Sequence, residues 1–499
     1  MTSICSLQAG SVLLIIADDL GRDSLSAFNN DPAASLPPTP TIDSLAAQGI
    51  RFERTYAYAT CSPTRASILT GRYGFRTGVI GPNEGEHTLQ ANEFTLPEAI
   101  LASGAIGTRM AQLGKWHLGN ETADIPNTIG GWPHFAGSLG GGLSSYNRWT
   151  KVINGVSTSR YTTYATTDIV NDAVTWITEQ GSDDWFLWVA FNAPHTPFHK
   201  PDNDLHDYDS LDGTNEDIEA NPRPYYEAMV QAMDTEIERL LQSVDLNNTT
   251  VIFIGDNGSP GTVVQSPFST RHAKGSLYEG GVNVPMIIAG EAVANNLHNT
   301  VSNEIINTVD LYKTVLDLFA IDANSILPSE LVFDSQSFHP LLTGASSVHT
   351  REIAYSRSPS SGANPGAIIV NSKYKWINYA DRSDEFYALS DGLSETNDRL
   401  TGTLDSNESA ALTDFTTELE SLQNVPQIHA VYLDNDNQFT AEVGWFANAN
   451  LTLQKSTELT EDSWQPVANF TITDDGSNVY YVKDDAALST NGFYRVSSE

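Results

Sequence analysis

The sequence predicts an α/β fold in which a mostly parallel sheet lies between layers of helices. Three apolar runs, 12–17, 185–191 and 250–254, each end abruptly at polar residues, which is typical of strands buried on both faces. Elsewhere, apolar residues recur at helical spacing over 226–244 and 309–319. Open α/β sheets bind ligands beyond the carboxyl ends of their strands, so we expect the functional site at the polar residues that follow these runs.

The composition restricts the classes of partner open to this 499-residue chain. Lys plus Arg total 26 and Asp plus Glu total 62, so the net charge is −36 and phosphate backbones or anionic lipid surfaces would be repelled. We therefore expect no nucleic-acid partner. A hydrophobic content of 40% indicates a folded protein. The longest apolar run is far shorter than the ~20 residues of a membrane span, so no transmembrane helix is expected.

Neither cysteine usage nor the N-terminus identifies a compartment. Cys5 and Cys61 allow one bridge at most, which excludes a disulfide scaffold. The run 12–17 resembles the apolar part of a signal peptide, but no basic residue precedes it. If the protein is exported, we expect its signal peptide to be missing from this chain.

The sequence pattern changes twice after the main α/β region, which is assigned to residues 11–345. Short strands and a helix at 367–375, 386–389 and 411–422 predict a small α+β subdomain over 346–425. Strand-like segments separated by Asp, Asn, Gly and Ser predict an appended β-rich module over 431–499. Aromatic residues of this module are interpreted as its core rather than as a sugar-stacking surface. They are Trp445, Trp464, Tyr480, Tyr481, Phe493 and Tyr494.

The densest chemical signal is the segment 61–72, which reads Cys-Ser-Pro-Thr-Arg-Ala-Ser-Ile-Leu-Thr-Gly-Arg. Ser62 is a good N-cap and Pro63 a good first helical residue, while Gly71 is suited to end the helix. The cysteine would then lie at a helix N-terminus, where the helix dipole and Arg65 favour an anion. The alternative interpretation is a buried structural cysteine.

This segment resembles the signature of the formylglycine sulfatases, Cys-x-Pro-x-Arg followed by Leu-Thr-Gly-Arg. Other segments resemble blocks of the same family, in the family's order, and together cover residues 12 to about 400. They are Asp18-Asp19-Leu-Gly, Gly114-Lys115-Trp-His117-Leu-Gly119, Ala193-Pro-His195, Gly255-Asp256-Asn257-Gly258, Lys274-Gly-Ser-Leu-Tyr-Glu-Gly-Gly281, and Phe386-Tyr-Ala-Leu389 with Glu395 and Asn397. The resemblance implies an alkaline-phosphatase-like core with a central mixed sheet, a catalytic domain over 11–345 and a small antiparallel sheet in the C-terminal subdomain.

The resemblance also implies a nucleophile and a metal site. In the family, a formylglycine-generating enzyme oxidises the cysteine, here Cys61, to Cα-formylglycine, whose hydrated aldehyde is the nucleophile. Metal ligands carried over from the family are Asp18, Asp19, Asp256 and Asn257 together with residue 61. Oxygen ligands select a hard cation, and the family uses Ca²⁺ or sometimes Mg²⁺. Taken alone, an Asp pair after a strand would more often be a helix cap or a solvated loop.

Sulfate ester cleavage needs positive charge around the sulfate and a proton for the departing alcohol. Arg65, Lys115, Lys274 and the metal would supply the charge. By resemblance, Lys115 and Lys274 hold the sulfate, and His195 with Lys274 protonates the alcohol. His117 would then remove the proton of the second hydroxyl on residue 61, so that sulfate leaves and the aldehyde is restored. Each histidine alone could instead be a structural residue.

A second group of polar residues near these blocks are weaker candidates for substrate contact. Solvated loop positions would explain them equally well. They are Asn83, Glu84, Glu86, His87, His199, His206, Arg271 and His272.

The predicted function is hydrolysis of a sulfate ester, with a sulfated carbohydrate as substrate and small aryl sulfates as further substrates. One alternative is hydrolysis of phosphonate monoesters or phosphodiesters on the same fold, and another is a catalytically silent protein that binds sulfated glycans. The complete set of blocks favours a sulfatase. An acidic surface suits a salty medium, where charges are screened within a few ångströms. We therefore expect a marine or halotolerant bacterium, and the resemblance to the family implies a periplasmic or extracellular location.

Overall fold

The computed structural model describes residues 10–83, 85–329, 331–359 and 364–423, followed by seven separate strands. The chain divides into two compact units, Met1–Thr403 and Leu404–Glu499. The domain boundaries given above remain predictions.

A ten-stranded mixed sheet forms the centre of the first unit. Its strands are β1 (Ser11–Ala17), β2 (Gly49–Phe52), β4 (Met110–Lys115), β5 (His134–Ser138), β6 (Trp149–Ile153), β7 (Val156–Tyr161), β8 (Phe186–Ala190), β9 (Thr249–Gly255), β10 (Met286–Gly290) and β11 (Thr300–Ser302). The spatial order is β11-β2-β10-β9-β1-β8-β4-β5-β6-β7. The five central strands from β9 to β5 are parallel, whereas β10 is antiparallel to β9 and β6 is antiparallel to β5. A separate parallel pair joins β3 (Thr55–Tyr56) to β12 (Ile306–Asn307).

Both faces of the central part of this sheet are buried, as its continuous apolar strands predict, whereas the edge strands β7 and β11 are exposed or half-buried. Val12, Leu14 and Ile16 of β1 join one core cluster, and the alternate residues Leu13 and Ile15 join the other. Helices α2, α4 and α10 cover the first face, and α1, α6 and α8 cover the second. The helices are α1 (Pro40–Gln48), α2 (Cys61–Thr70), α3 (Gly74–Thr77), α4 (Leu96–Ser103), α5 (Ile125–Thr128), α6 (Ala165–Gln180), α7 (Asn215–Ala220), α8 (Pro222–Leu241), α9 (Glu279–Val282), α10 (Asp310–Leu318), α11 (Ala323–Ile326) and α12 (His339–Leu342). The α/β prediction and the two helices predicted from apolar spacing, α8 and α10, are confirmed.

A four-stranded antiparallel sheet completes the first unit. It contains β13 (Ala354–Ser358), β14 (Gly366–Val370), β15 (Tyr374–Tyr379) and β16 (Glu385–Ala388). The predicted strand segment 367–375 covers β14, a turn and the start of β15. Ile368 and Ile377 of this sheet share a core cluster with Tyr56 and Leu277 of the main α/β region. The small sheet is thereby held against the segment that carries Lys274.

The second unit contains α13 (Ser406–Gln423) and seven strands. They are β17 (Gln427–Leu433), β18 (Phe439–Gly444), β19 (Leu451–Ser456), β20 (Gln465–Pro466), β21 (Phe470–Asp474), β22 (Val479–Asp484) and β23 (Phe493–Ser498). They form two antiparallel sheets, β17-β18-β22-β21 and β20-β19-β23. The predicted β-rich character is confirmed.

Cys5, Glu84, Trp445 and Trp464 lie outside the described residues. Within the described part of the chain, no helix combines the length and apolar character of a membrane span.

Candidate active site

The site begins where β1 and β9 end, side by side. These strands are parallel and pair Ala17 with Gly255, so the two following dipeptides become neighbours. Asp18 and Asp256 are completely buried. The Asp19 amide donates to Asp256 Oδ1 at 3.1 Å, and Asn257 Nδ2 donates to Asp19 Oδ1 at 2.8 Å. The four predicted metal ligands from these strands are therefore in one cluster.

Helix α2 presents Cys61 to this cluster, but it begins earlier than predicted. Cys61 is its first residue and the N-cap is Thr60, so the assignment of Ser62 as N-cap is wrong. The physical reason is that the Thr64 hydroxyl accepts the Tyr58 amide at 3.0 Å, which fixes the turn before Cys61. The helix ends as predicted at Gly71, whose φ of 67° is in the left-handed region that glycine adopts readily.

The Cys61 thiol is enclosed by His117 and two carboxylates. His117 Nδ1 lies 3.2 Å from Sγ, and ligand atoms of Cys61, Asp18 and Asp256 all lie within 4.8 Å of one another. Burial raises the pKa of the Cys61 thiol, and this effect outweighs the lowering of the pKa by Lys115 and Lys274. The unmodified side chain is therefore a neutral thiol at neutral pH and a poor nucleophile.

The hydrogen bonds of His117 define its tautomer. Nε2 lies 3.2 Å from the carbonyl oxygen of Pro82, which can only accept, so Nε2 carries the proton and Nδ1 presents a lone pair to Cys61. Burial, assisted by Lys115 and Arg65, holds the pKa of His117 well below its usual range. The imidazole is therefore neutral near pH 7 and can take a proton from a group at the Sγ position.

Three cationic side chains pair one to one with the three aspartates of the site. The shortest pairs are Lys115–Asp18 at 2.6 Å, Lys274–Asp19 at 2.5 Å and Arg65–Asp256 at 2.8 Å, and Arg65 also lies 3.9 Å from Asp18 Oδ1. Burial favours protonated Asp18, but its cationic neighbours outweigh burial and hold its pKa well below the usual range. Burial and the charge of Asp18 raise the pKa of Asp256 to about 6. The aspartates therefore repel one another in spite of their cationic partners.

The donor atoms at this position fit a hard divalent cation. Asp18 Oδ1 and Asn257 Oδ1 are buried, and within the described residues neither has a hydrogen-bond partner. Buried oxygen atoms without a donor are costly, and a cation would satisfy them and reduce the repulsion between carboxylates. Ligand atoms of Asp18, Asp19 and His195 also lie within 4.8 Å of one another. The His195 imidazole, predicted from the sequence as a catalytic group, is thus also within reach of the metal-binding carboxylates, and this proximity was not predicted.

His195 lies at the solvent side of the cluster. Its Nδ1–H donates to the Thr196 carbonyl at 2.8 Å, and Nε2 is 3.7 Å from Asp19 Oδ2. Its side chain is 19% exposed, and that of Lys274 is 21% exposed, whereas Lys115 is completely buried. His195 and Lys274 are therefore the most solvent-accessible side chains of this cluster.

Several positioning residues were not predicted from the sequence. The Tyr146 hydroxyl lies 2.7 Å from the His195 carbonyl oxygen and thus holds the loop that carries this histidine. A Cβ atom added at Gly141 would lie 2.4 Å from the His117 ring, so this backbone must approach the ring without a side chain. The run of three glycines at 140–142 was a visible signal for this close approach.

The weaker sequence candidates occupy different environments. His199 bonds Tyr164 and burial lowers its pKa to about 4, while both ring nitrogens of His206 are hydrogen-bonded within its own loop. His87 is buried beside His117, with ring centroids 5.6 Å apart. His272 stacks on Tyr278, and Glu86 accepts from the Asn83 side chain. Arg271 and Asn83 line a cleft beside Lys274.

Comparison with known proteins identifies the family. The family model described as Sulfatase matches residues 11–321, which is more than half of the chain. The chain belongs to the sulfatase family. The matched region contains all six predicted catalytic residues and all predicted metal ligands.

Relatives of this sulfatase chain are distant. It is similar to Arylsulfatase J of Mus musculus, with 28% identity over 62% of this chain and 52% of the relative. It is also similar to a protein named Sulfatase from Formosa agariphila, with 27% identity over 79% of this chain and 85% of the relative. The first three curated relatives are matched over only 52%, 64% and 57% of their own length.

Solved structures confirm the predicted alkaline-phosphatase-like fold of this sulfatase chain. A crystal structure of Ps i-CgsB in complex with k-i-k-neocarrahexaose aligns with a TM-score of 0.68 and 24% identity, covering 83% of this chain and 92% of that chain. A structure of a protein with its substrate D-glucosamine-2-N,6-O-disulfate aligns with a TM-score of 0.65 and 20% identity, over 83% and 98% of the two chains.

Proposed function

We propose that this protein hydrolyses sulfate esters with a formylglycine formed from Cys61. The observation that carries the proposal is the enclosure of Cys61 Sγ at the start of α2, 3.2 Å from a neutral imidazole and beside the strand-end carboxylates. Sγ marks the position that an oxygen on Cβ takes after conversion. The hydrate of formylglycine supplies a hydroxyl that attacks the sulfur and a second hydroxyl that permits sulfate to be expelled.

In this proposal, His117 accepts the proton of a hydroxyl group on residue 61. His117 Nδ1 faces residue 61 with a lone pair, because Nε2–H donates to Pro82. It can therefore accept the proton of a hydroxyl at residue 61. Lys115 and Lys274 hold the sulfate oxygens in this proposal, and Arg65 remains bound to Asp256 behind them.

The residues on the solvent side handle the leaving group. His195 and Lys274 flank Asp19 where the site meets solvent, so the alcohol portion of the ester would leave past them. A proton on His195 Nε2 or on the Lys274 ammonium can be delivered to the departing oxygen. Because His117 is buried against residue 61 and His195 is partly exposed, different histidines would act as the base and the acid.

A bound Ca²⁺ or Mg²⁺ ion would supply positive charge beside the sulfate. Asp18, Asp19, Asp256 and Asn257 would hold it, with an oxygen of residue 61 as a further ligand. The support for this part of the proposal is the pair of buried oxygens on Asp18 and Asn257 that lack a hydrogen-bond partner among the described residues.

We propose a sulfated carbohydrate as the substrate class, with small aryl sulfates also cleaved. Support comes from two structural neighbours, one solved in complex with a neocarrahexaose and one with a disulfated glucosamine as its substrate. We further propose maturation by a formylglycine-generating enzyme and a periplasmic or extracellular location. A net charge of −36 is compatible with work in a salty medium.

Mass spectrometry of the tryptic peptide Thr55–Arg65 tests the nucleophile. The protein is co-produced with a formylglycine-generating enzyme, and the Cys61→Ala variant is the matched control. We expect conversion of Cys61 to the aldehyde or its hydrate, together with release of inorganic sulfate from para-nitrophenyl sulfate by the converted protein alone. A wholly unmodified thiol, beside a control sulfatase converted in the same cells, would contradict the proposal. Cleavage of a phosphonate monoester in preference to the sulfate would replace it.

A further inference from the structure

A cleft of about 650 Å³ opens beside the proposed sulfate pocket. Its wall includes Thr60, which precedes Cys61, Pro82, whose carbonyl bonds His117, and Lys274. This volume lies in the ~300–1,000 Å³ range of small-molecule sites and is far larger than a sulfate group requires. The part of the substrate that remains attached to the scissile sulfate would therefore enter this cleft.

The cleft is cationic in a strongly acidic protein. Besides Lys274, its wall contains Arg271 and Arg382, and Glu385 is the one acidic residue among the described residues that line it. Lys274 is already paired with Asp19, but neither arginine forms an ion pair with a carboxylate in the part of the chain that the structure describes. Because the whole chain carries a net charge of −36, two such arginines in one cleft are a marked local reversal of charge.

Among the described residues, Arg382 is held by neutral groups and has no carboxylate within ion-pair distance, although the charge of the adjacent Asp381 acts on it. Its guanidinium carbon lies 3.6 Å from the centroid of the Tyr379 ring, and Nη2 donates to Asn364 Oδ1 at 3.0 Å. Stacking and hydrogen bonds to neutral side chains restrict this exposed guanidinium, whose five N–H groups are more than these bonds use. A guanidinium oriented by stacking and not paired to a carboxylate is suited to bind a carboxylate or a sulfate.

Arg271 comes from a different part of the chain. It belongs to the 3-10 helix Thr270–His272, three residues before Lys274. The neighbouring His272 ring stacks on Tyr278 at 3.7 Å, and its Nδ1 bonds the Ser394 carbonyl at 3.1 Å, so this segment is anchored to the C-terminal part of the first unit. The fold thus brings two arginines, more than 100 residues apart in sequence, to one cleft.

The acidic member of the wall has its own partners. The hydroxyls of Tyr278 and Tyr387 both donate to Glu385 Oε2, each at 2.7 Å. These bonds hold the carboxylate, but they do not cancel its charge. Glu385 therefore opposes anion binding and offers a test of the sign of the interaction.

From these contacts we infer that Arg271 and Arg382 bind a second anionic group of the substrate, a sulfate or a carboxylate, while the scissile sulfate is held near residue 61. The inference rests on the proposed sulfatase function and narrows its substrate class. The substrate is a saccharide with at least two anionic groups, either multiply sulfated or both sulfated and carboxylated. Asparagine and serine side chains of the same wall would meet its hydroxyl groups.

Competitive inhibition tests this inference whatever the linkage in the natural substrate. Sucrose octasulfate, which presents sulfates in many directions, and inorganic sulfate are each titrated against turnover of para-nitrophenyl sulfate at fixed ionic strength. The quantity compared is the ratio of the two inhibition constants, because it cancels general damage to the site. The ratio is the inhibition constant of sucrose octasulfate divided by that of inorganic sulfate. Arg271→Gln and Arg382→Gln are each expected to raise it ~10-fold, because each removes one charge-assisted hydrogen-bonding partner of the octasulfate.

Two further variants give the experiment its controls. Lys373→Gln removes an equal positive charge from the protein, but Lys373 precedes β15, whereas Arg382 follows the other end of this strand. Lys373→Gln should therefore leave the ratio unchanged. Glu385→Gln should lower the ratio, because it removes the opposing charge from the cleft. A structural role of these residues would not produce changes of opposite sign.

The failure of each proposal has a separate signature. If para-nitrophenyl sulfate is not hydrolysed by the converted protein, the sulfatase proposal fails, and calorimetric titration of the same variants with sucrose octasulfate still tests the cleft. If the arginine variants leave the ratio unchanged, or if wild-type protein binds octasulfate no more tightly than inorganic sulfate, the second anion site is refuted.

Discussion

The close approach of Gly141 to His117 allows a test in which no catalytic residue is substituted. In Gly141→Ala the new Cβ would lie 2.4 Å from both Cε1 and Nε2 of the His117 ring. Carbon atoms in contact prefer about 3.5–4.0 Å, so the ring must move by ~1 Å. The ring is held by bonds of 3.2 Å to Cys61 Sγ and to the Pro82 carbonyl, and such a shift would break at least one of them.

The expected loss follows from the role proposed for this imidazole. A displacement of ~1 Å costs on the order of 100-fold in rate, near the lower end of the ~10²–10⁴ contributed by general bases. We therefore expect kcat for para-nitrophenyl sulfate to fall ~100-fold in Gly141→Ala, equivalent to about 2.7 kcal/mol of activation free energy. The melting temperature should change little, because the atoms nearest the new Cβ all belong to the His117 side chain rather than to the backbone.

The neighbouring glycine provides the control. A Cβ at Gly140 would meet only the Gly142 carbonyl oxygen, at 3.8 Å, and neither Gly140 nor Gly141 has a positive φ. Gly140→Ala should therefore retain wild-type kcat. The reasoning is refuted if Gly141→Ala stays within ~3-fold of wild type, or if both variants lose the same activity.

Three further perturbations test other parts of the structure. Cys61→Ala should abolish turnover with a nearly unchanged melting temperature, and appreciable activity would show that residue 61 is not the nucleophile. Dialysis against a strong chelator should remove activity and Ca²⁺ should restore it, while indifference to prolonged chelation would argue against the cation site. The Asp234 carboxylate accepts the amides of Thr41 and Ile42, and burial raises its pKa from 3.8 to about 6. Its contribution to stability is therefore present below pH 3.8 and is lost as the pH rises through 6. Between pH 4 and 7, urea unfolding should show wild type losing about 2 kcal/mol relative to Asp234→Asn, and parallel pH profiles would contradict this assignment.

The main sheet was predictable because its strands carry an unusually direct signal. β1, β8 and β9 are buried on both faces, so continuous apolar runs mark them to within one residue of their observed ends. Asp18 and Asp256 follow two of these runs, and the parallel pairing of β1 with β9 brings them together without further information. The position of the carboxylate cluster is thus a consequence of strand patterning.

Other parts of the site depend on tertiary contacts that no local pattern reveals. The start of α2 is set by a bond from the Tyr58 amide to Thr64, which competes successfully with the better local capping residue Ser62. Arg382 reaches the cleft only because the small antiparallel sheet packs against the main α/β region. Such a residue cannot be recognised from spacing, since its partners lie far away in the chain.

The charges of the site connect cation binding to anion binding. Three aspartates are paired one to one with Lys115, Lys274 and Arg65, so the cluster of these six side chains is close to neutral and offers little attraction to a sulfate ester. A divalent cation bound to the aspartates would leave two surplus positive charges and would weaken the hold of Asp18 and Asp19 on the two lysines. The lysines could then turn to the sulfate oxygens. Calorimetric titration should therefore show that inorganic sulfate binds the protein much more tightly with the cation present than after chelation, and equal sulfate affinity in the two states would contradict this link.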